Sequence, residues 1–204
     1  PLAHVLERQL FLITTYYGVR VGYFSGHISG LMDDIQKLRP TVFFGVPRLF
    51  NKIYAAFQDK IAQKGWLTRA VFNAAYWWKA SAIEATPKGQ MPPWTSWVDA
   101  AFSQVRNGFG GRLKLIITGS APLAPEIHRF LHVCFSCPVV VGYGMSEAYP
   151  VAVTTPDDPE PLNCGPPMPH CEVKLRDCPR LGYRVSDKPH PRGEAMIRGA
   201  QDFS

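Results

Sequence analysis

The 204-residue sequence has no apolar run of the roughly 18 residues that a membrane-spanning helix needs. It has no long basic stretch, although Lys and Arg outnumber Asp and Glu by 22 to 16, a net charge of +6. That surplus suits anionic partners such as nucleotides or lipid headgroups, and it is also what an ordinary solvated basic face gives. There is no G-x-x-x-x-G-K-[ST], which removes the P-loop; the run GFGG at 108–111 precedes an apolar run instead of following one. Internal repeats and low-complexity tracts are also missing, so solenoids, fibres and disordered chains are set aside. Cysteine is scarce and odd in number. The pair Cys134 and Cys137 is followed by Cys164, Cys171 and Cys178 with six residues between successive members, and only His170 stands beside any of them. This is neither a zinc spacing nor a disulfide framework, and reduced thiols in a cytosolic setting are the expectation. Pro1 is not an initiator residue, so no inference about a leader or anchor is drawn from this terminus.

What is present is a globular composition, 46% hydrophobic and 19% charged. Apolar periodicity predicts a helix over 4–17 closed by Gly18, a short strand over 19–24, and a helix over 31–38 stopped by Pro40. TVFFGV (41–46) predicts a strand leading to Pro47 at a helix start, with two helical stretches to residue 85 broken at Gly65. The three prolines and glycine of 86–94 predict a loop, and a shorter helix is expected over 95–105. Trp66, Trp77, Trp78, Trp94 and Trp97 fall in apolar helical patterning without interleaved basic residues, which reads as core and argues against nucleic-acid binding.

The chemistry concentrates after the NGFGG turn. LKLIIT (113–118) predicts a strand, residues 125–134 a helix with Pro125 first and Glu126 in its opening turn, and VVV (139–141) a second strand. A strand, helix, strand unit of this length pairs its strands in parallel, giving an α/β fold with a mostly parallel sheet flanked by helices. Short strands are further expected at 171–176 and 194–198. In open parallel sheets, ligands sit outside the carboxyl ends of strands. Two unusual turns fall there: Gly119, Ser120, Ala121 and Pro122 after the first strand, and Gly142, Tyr143 and Gly144 after the second. Glycines admit a ligand to the main chain. Tyr143 offers a flat face to a heterocyclic base, Ser146 a hydroxyl to a phosphate oxygen, and Glu147 the hard oxygen that Mg²⁺ prefers. Each piece has a plainer reading as well: a turn with a half-buried tyrosine, and a Ser-Glu pair capping a helix.

GYGMSEA (142–148) resembles the G-Y-G-x-[ST]-E signature of adenylate-forming enzymes. PLAHVLER (1–8), TVFFGVPRLFNKIY (41–54), LKLIITGSAPL (113–123), NCGPPMPHCEVKLRD (163–177) and GYRVSDKPHPRGE (182–194) are similar to the eukaryotic-type long-chain fatty acyl-CoA synthetases. The resemblance runs almost end to end. It implies part of the large N-terminal domain of such an enzyme over 1–204, with ATP, Mg²⁺ and coenzyme A as cofactor and co-substrates. A fatty acid becomes an acyl adenylate and then an acyl-CoA. It puts Gly119 to Pro122 and Gly142, Tyr143, Gly144 and Met145 around the nucleotide, Ser146 on the α-phosphate and Glu147 on the metal. It puts His4, Val46, Pro47 and Phe50 in the acyl-substrate region, with Arg8 in the same segment as His4. It also implies peripheral association with a membrane where the substrate partitions, in the cytosol or on the cytosolic face of an organelle. Departures from the pattern are Ser146, where threonine is more usual, and Ala195 and Met196, where branched apolar residues are more usual. The family's upstream phosphate loop, ribose-binding aspartate and C-terminal lysine domain have no counterpart, so the chain reads as an interior piece, inactive alone. A non-catalytic nucleotide-binding remnant and a medium-chain or aryl-CoA ligase are the alternatives.

Overall fold

The computed structural model describes residues 5–23, 25–27, 30–87, 89–94 and 96–199. Its first helix, α1 (Val5–Tyr16), ends near Gly18, which takes φ 63° and turns the chain. The strand expected after it does not form. Residues 19–23 have no strand partner, and Phe24 lies outside the described residues. Alternating valines do not make a strand where no edge is offered for hydrogen bonding. The next helix, α2 (Leu31–Leu38), forms as its pattern predicts and stops at Arg39, two residues short of Thr41 and one before Pro40.

The sheet is built from β1 (Val42–Gly45), β2 (Leu115–Gly119), β3 (Val139–Met145) and β4 (Tyr149–Val153), in that spatial order. The first three run parallel, with Phe43 beside Ile116 and Ile116 beside Val139. The fourth returns antiparallel. Between β1 and β2 come α3 (Pro47–Ala62), α4 (Trp66–Glu84), a 3₁₀ helix (Trp97–Phe102) and α5 (Ser103–Gly108). Between β2 and β3 comes α6 (Pro125–Phe135). The expected single helix over 95–105 is therefore two short elements. A two-stranded ribbon, β5 (Cys171–Arg176) with β6 (Glu194–Gly199), follows.

Monotonic strand order with right-handed crossovers puts the connecting helices on one face, and an aromatic layer fills that side. Phe43 meets Phe50 of α3 at 6.1 Å and Phe109 at 5.5 Å. Phe130 of α6 meets Tyr54 and Phe57 at 5.1 and 5.2 Å, and Phe72 of α4 meets Phe102 at 5.4 Å. These edge-to-face and tilted pairs each add about 0.5–1.5 kcal/mol to the area they bury.

Four of the five tryptophans correct the expectation of a tryptophan core, while Trp94 is half-buried and packs against the core. Trp66, Trp77 and Trp97 are 79%, 61% and 78% exposed, and Trp78 is 46% exposed. The inner stripe of α4 is Ala75, Lys79, Ala80 and Ile83; the indoles occupy its outer side together with Leu67 and Val71. Lys79 is fully buried and bonds Asp99 Oδ1 at 2.6 Å and Ser136 Oγ at 2.8 Å. Arg106 closes the cluster onto Asp99 Oδ2 and Ser136 Oγ, both at 3.0 Å. Burial pushes the Lys79 ammonium below its usual range against the pull of Asp99. The Asp99 carboxyl lies below its usual range because Lys79 and Arg106 outweigh its own burial.

Candidate functional site

The carboxyl ends of β1, β2 and β3 meet along one edge of the sheet. Gly45 pairs with Thr118, and Gly119 pairs with Gly142. Of the two glycines, Gly119 is needed as such. A methyl group at Gly119 would lie 2.9 Å from the Gly142 carbonyl oxygen, closer than side-chain carbons approach backbone. Immediately after, Ser120 takes φ 71°, a left-handed conformation that costs a non-glycine residue of order 1 kcal/mol or more. Ser120, Ala121 and Pro122 are exposed, so the strained turn leaves its main chain open to solvent beside β3.

The GYG segment behaves differently from the turn that its glycines suggest. β3 continues through it to Met145, with Tyr143 opposite Ala152 and a register shift between Tyr143 and Gly144. The bulge accounts for the bare residues on both sides of the tyrosine, which is 38% exposed. Ser146 and Glu147 are not a helix cap. The Ala148 N–H donates to the Met145 carbonyl at 3.3 Å, which makes Ser146 and Glu147 the two central residues of the hairpin turn into β4. Met145 pairs with Tyr149, so the connection is a three-residue loop over 146–148, and neither Ser146 nor Glu147 adopts positive φ. Both side chains are exposed at the tip. β4 was missed in the sequence because Pro150 lies inside it. Proline is tolerated here since the Gly144 to Pro150 pairing falls next to the bulge.

Sequence reasoning also left out what steadies the hairpin. The Thr154 hydroxyl accepts the Val141 N–H at 2.8 Å. The 163–168 segment runs along the other side of β4, where Pro166 O accepts from Val153 N–H and Met168 N–H donates to Val151 O. Gly165 is turned by φ 76° and has no room for a side chain against Val153. The NCGPPMPH stretch is thereby the cover of the sheet edge that carries the hairpin.

Of the acyl-region residues, Val46 and Pro47 stand at the carboxyl end of β1, on the same edge as the two turns. Val46 is 47% exposed and Pro47 opens α3. Phe50 is 1% exposed, its ring lying over Gly45 and against Phe43. His4 lies outside the described residues, and Arg8 sits on α1. Among the described residues no three imidazole, thiol or carboxylate groups stand close enough to enclose a metal ion. A Mg²⁺ ion held by one protein carboxylate and completed by phosphate and water needs no such enclosure, and the exposed hard oxygens of Glu147 at the hairpin tip fit that role. The cysteines divide into buried Cys134 and Cys137, whose thiols burial pushes up, Cys137 to about 12, and half-buried Cys164, Cys171 and Cys178.

The AMP-binding enzyme family model matches residues 1–204. The chain is 43% identical over 206 residues to the peroxisomal long chain acyl-CoA synthetase 6 of Arabidopsis thaliana, covering all of this chain and 29% of that protein. It is 42% identical over 204 residues to fatty acyl-CoA synthetase A of Dictyostelium discoideum, covering all of this chain and 30% of that protein. The chain thus spans about three-tenths of the length of the curated relatives it matches. Among solved structures, the A-PCP didomain of carboxylic acid reductase from Segniliparus rugosus in complex with AMP superposes with a TM-score of 0.71 at 28% identity. The match covers 99% of this chain and 24% of that one. A long-chain-fatty-acid-CoA ligase from Archaeoglobus fulgidus has a TM-score of 0.54 at 19% identity over 99% of this chain and 33% of its own, a likeness of fold.

Proposed function

The chain belongs to the AMP-binding enzyme family, and from that membership we propose that the protein carrying it activates a long-chain fatty acid with ATP and passes the acyl group to coenzyme A. The observation that carries this reading is the paired carboxyl edge of β2 and β3, where Gly119 lies against Gly142 and the exposed Tyr143, Ser146 and Glu147 follow on one hairpin. The similarity to the Arabidopsis and Dictyostelium synthetases over the whole chain supports the substrate class.

In this proposal, Tyr143 stacks on adenine, and the open main chain at Gly119, Ser120, Ala121 and Pro122 and at Gly142 and Gly144 bonds the base edge and sugar side of the nucleotide. Met145 holds the strand end behind them. Ser146 donates its hydroxyl to an α-phosphate oxygen. Glu147 is the residue that would hold Mg²⁺, which would supply charge neutralisation at the phosphates. The fatty-acid carboxylate attacks the α-phosphorus, pyrophosphate leaves, and the negative charge that builds on the equatorial oxygens is met by groups already fixed in place. The coenzyme A thiol then displaces AMP. Val46 and Pro47 border the acyl chain from the β1 edge, with Phe50 as the packed base of that border; His4 is assigned to the same region on the resemblance alone. The protein acts in the cytosol or, peripherally, at the cytosolic face of an organelle membrane, where its substrate partitions.

Assay of the full-length protein with palmitate, ATP, Mg²⁺ and coenzyme A tests this directly. Equimolar palmitoyl-CoA and AMP are expected. Nucleotide binding without pyrophosphate release would instead make the domain a non-catalytic binder, and turnover confined to aryl or shorter acids would move the substrate class.

A further inference from the structure

Helix α4 turns an uncharged face to solvent. Trp66, Leu67, Val71, Trp77 and Trp78 fall on the side opposite Ala75, Lys79 and Ile83, with the small Ala70 and Ala74 between them, and all seven are exposed. From Trp66 to Trp78 the face runs about 18 Å. Trp97, its ring 5.4 Å from that of Trp78, extends the face onto the 3₁₀ helix. Leu67 and Val71 also wall an open cavity of about 490 Å³ between α3, α4 and residues 100–105, where Phe57, Ile61 and Phe72 continue the apolar lining. Single exposed apolar side chains are ordinary, but a contiguous patch with four indoles marks a contact with something outside.

The charge around this face has mostly one sign. Lys60 and Lys64 stand exposed before the first tryptophan, and Arg69 lies at the border of the face. The sequence has no carboxylate between Lys60 and Ile83; Asp59 precedes that run, and Glu84, which follows it, is held by Arg129 at 2.6 Å. Among the described residues of the cavity wall, Lys64 is the charged group. Indole joins an apolar body to one N–H donor and settles at the boundary between hydrocarbon and headgroups, from which lysine and arginine stems reach lipid phosphate. A protein partner calls for a rim of mixed donors and acceptors, whereas this rim is cationic. No helix among the described residues is long and apolar enough to cross a membrane; a helix with one apolar face and a basic border lies in the interface plane.

We propose that the outer face of α4, with Trp97 beside it, rests on an anionic lipid bilayer, its indoles among the headgroups and Lys60, Lys64 and Arg69 against lipid phosphate. The inference rests on the peripheral-membrane reading above and gives it a surface, and it uses none of the crevice residues.

The test sediments full-length protein, without substrate, on phosphatidylcholine vesicles containing about 20% phosphatidylserine, and follows indole emission and its quenching by brominated acyl chains. Wild type should bind, with a blue shift and quenching. Trp77→Ser combined with Trp97→Ser should weaken vesicle affinity at least about tenfold, and Lys64→Glu combined with Arg69→Glu should weaken it most at low salt. These side chains are exposed, so melting temperature and turnover of detergent-dispersed palmitate should stay at the wild-type values. Equal vesicle binding by wild type and both variants would overturn the assignment of this surface and leave the membrane reading standing; no binding by wild type would remove both. Indoles shielded from acrylamide before vesicles are added would give the face to the rest of the chain, and a dimer dissolved by the tryptophan substitutions would give it to a second copy. Either result refutes the proposal. Wild-type turnover reads the catalytic proposal separately.

Discussion

Replacing Asp99 by Asn should cost far more than replacing its buried partner Lys79 by Met. In the native cluster the Lys79 ammonium, fully buried, has Asp99 Oδ1 at 2.6 Å and Ser136 Oγ at 2.8 Å as acceptors. Among the described residues, Asp99→Asn removes the one negative charge from a site that keeps two cations. Arg106, 27% exposed at its side chain, can turn towards water; Lys79 cannot. An uncompensated buried charge costs about 3–5 kcal/mol. In Lys79→Met the buried charge goes with its partner's need for it, because Asp99 keeps Arg106 at 3.0 Å on Oδ2 and the Ser96 hydroxyl at 3.2 Å on Oδ1. The loss is then one charged hydrogen bond, about 2 kcal/mol or less. Hydrogen exchange of the slow amides of α4 and α6 in the full-length protein reads these as local opening energies. At about 1.4 kcal/mol per tenfold, Asp99→Asn should accelerate them by roughly 100-fold or more, and Lys79→Met by no more than roughly 30-fold. Because the native Asp99 carboxyl lies below its usual range, its contribution is complete above the unfolded carboxylate pKa and is lost as pH falls through the lower folded value. The difference between wild type and Asp99→Asn should therefore shrink on acidification below the ordinary carboxylate range. Equal acceleration by both substitutions, or a larger effect of Lys79→Met, would refute this reasoning.

Gly119→Ala should lower the melting temperature, at a cost of about 1–3 kcal/mol, because its methyl meets the Gly142 carbonyl oxygen at 2.9 Å. Gly142→Ala meets nothing nearer than 3.8 Å and should spare the fold while weakening nucleotide binding, as paired melting and ATP titrations will show. Tyr143→Ala should raise KM for ATP more than KM for fatty acid, since a stacking contact is made in ground and transition states alike; equal changes would mean that the crevice itself has collapsed. Peptide-mapped alkylation of the native protein should label Cys164, Cys171 and Cys178 before the buried Cys134 and Cys137, whose thiols are held protonated, and an inverted order would contradict the packing of α6.

The parallel pairing of β2 with β3 was legible because 113–145 alternates a short apolar run, an amphipathic helix opened by Pro125 and a second apolar run, a pattern with few topological solutions. The candidate edge was legible for the same reason: β2 ends at Gly119 beside Gly142 of β3, and Gly119 has a steric cause in the Gly142 carbonyl. The outward indoles were not legible. α4 is apolar on nearly every side, so periodicity could not say which stripe faces the core, and that choice fell to Lys79 and its distant partners Asp99 and Ser136. The hairpin was hidden by Pro150 and by a strand that continues through two glycines.

The most direct measurement is pyrophosphate release by Glu147→Gln in the full-length protein, followed against Mg²⁺ concentration. Glutamine keeps the shape of the hairpin tip and removes its charge, and Glu147 is exposed, so the melting temperature should not move. Adenylate formation should fall at least about tenfold, roughly 1.4 kcal/mol of transition-state stabilisation, with part of the loss recovered at high Mg²⁺. A rate equal to wild type at every Mg²⁺ concentration would take Glu147, and with it the hairpin tip, out of the chemistry.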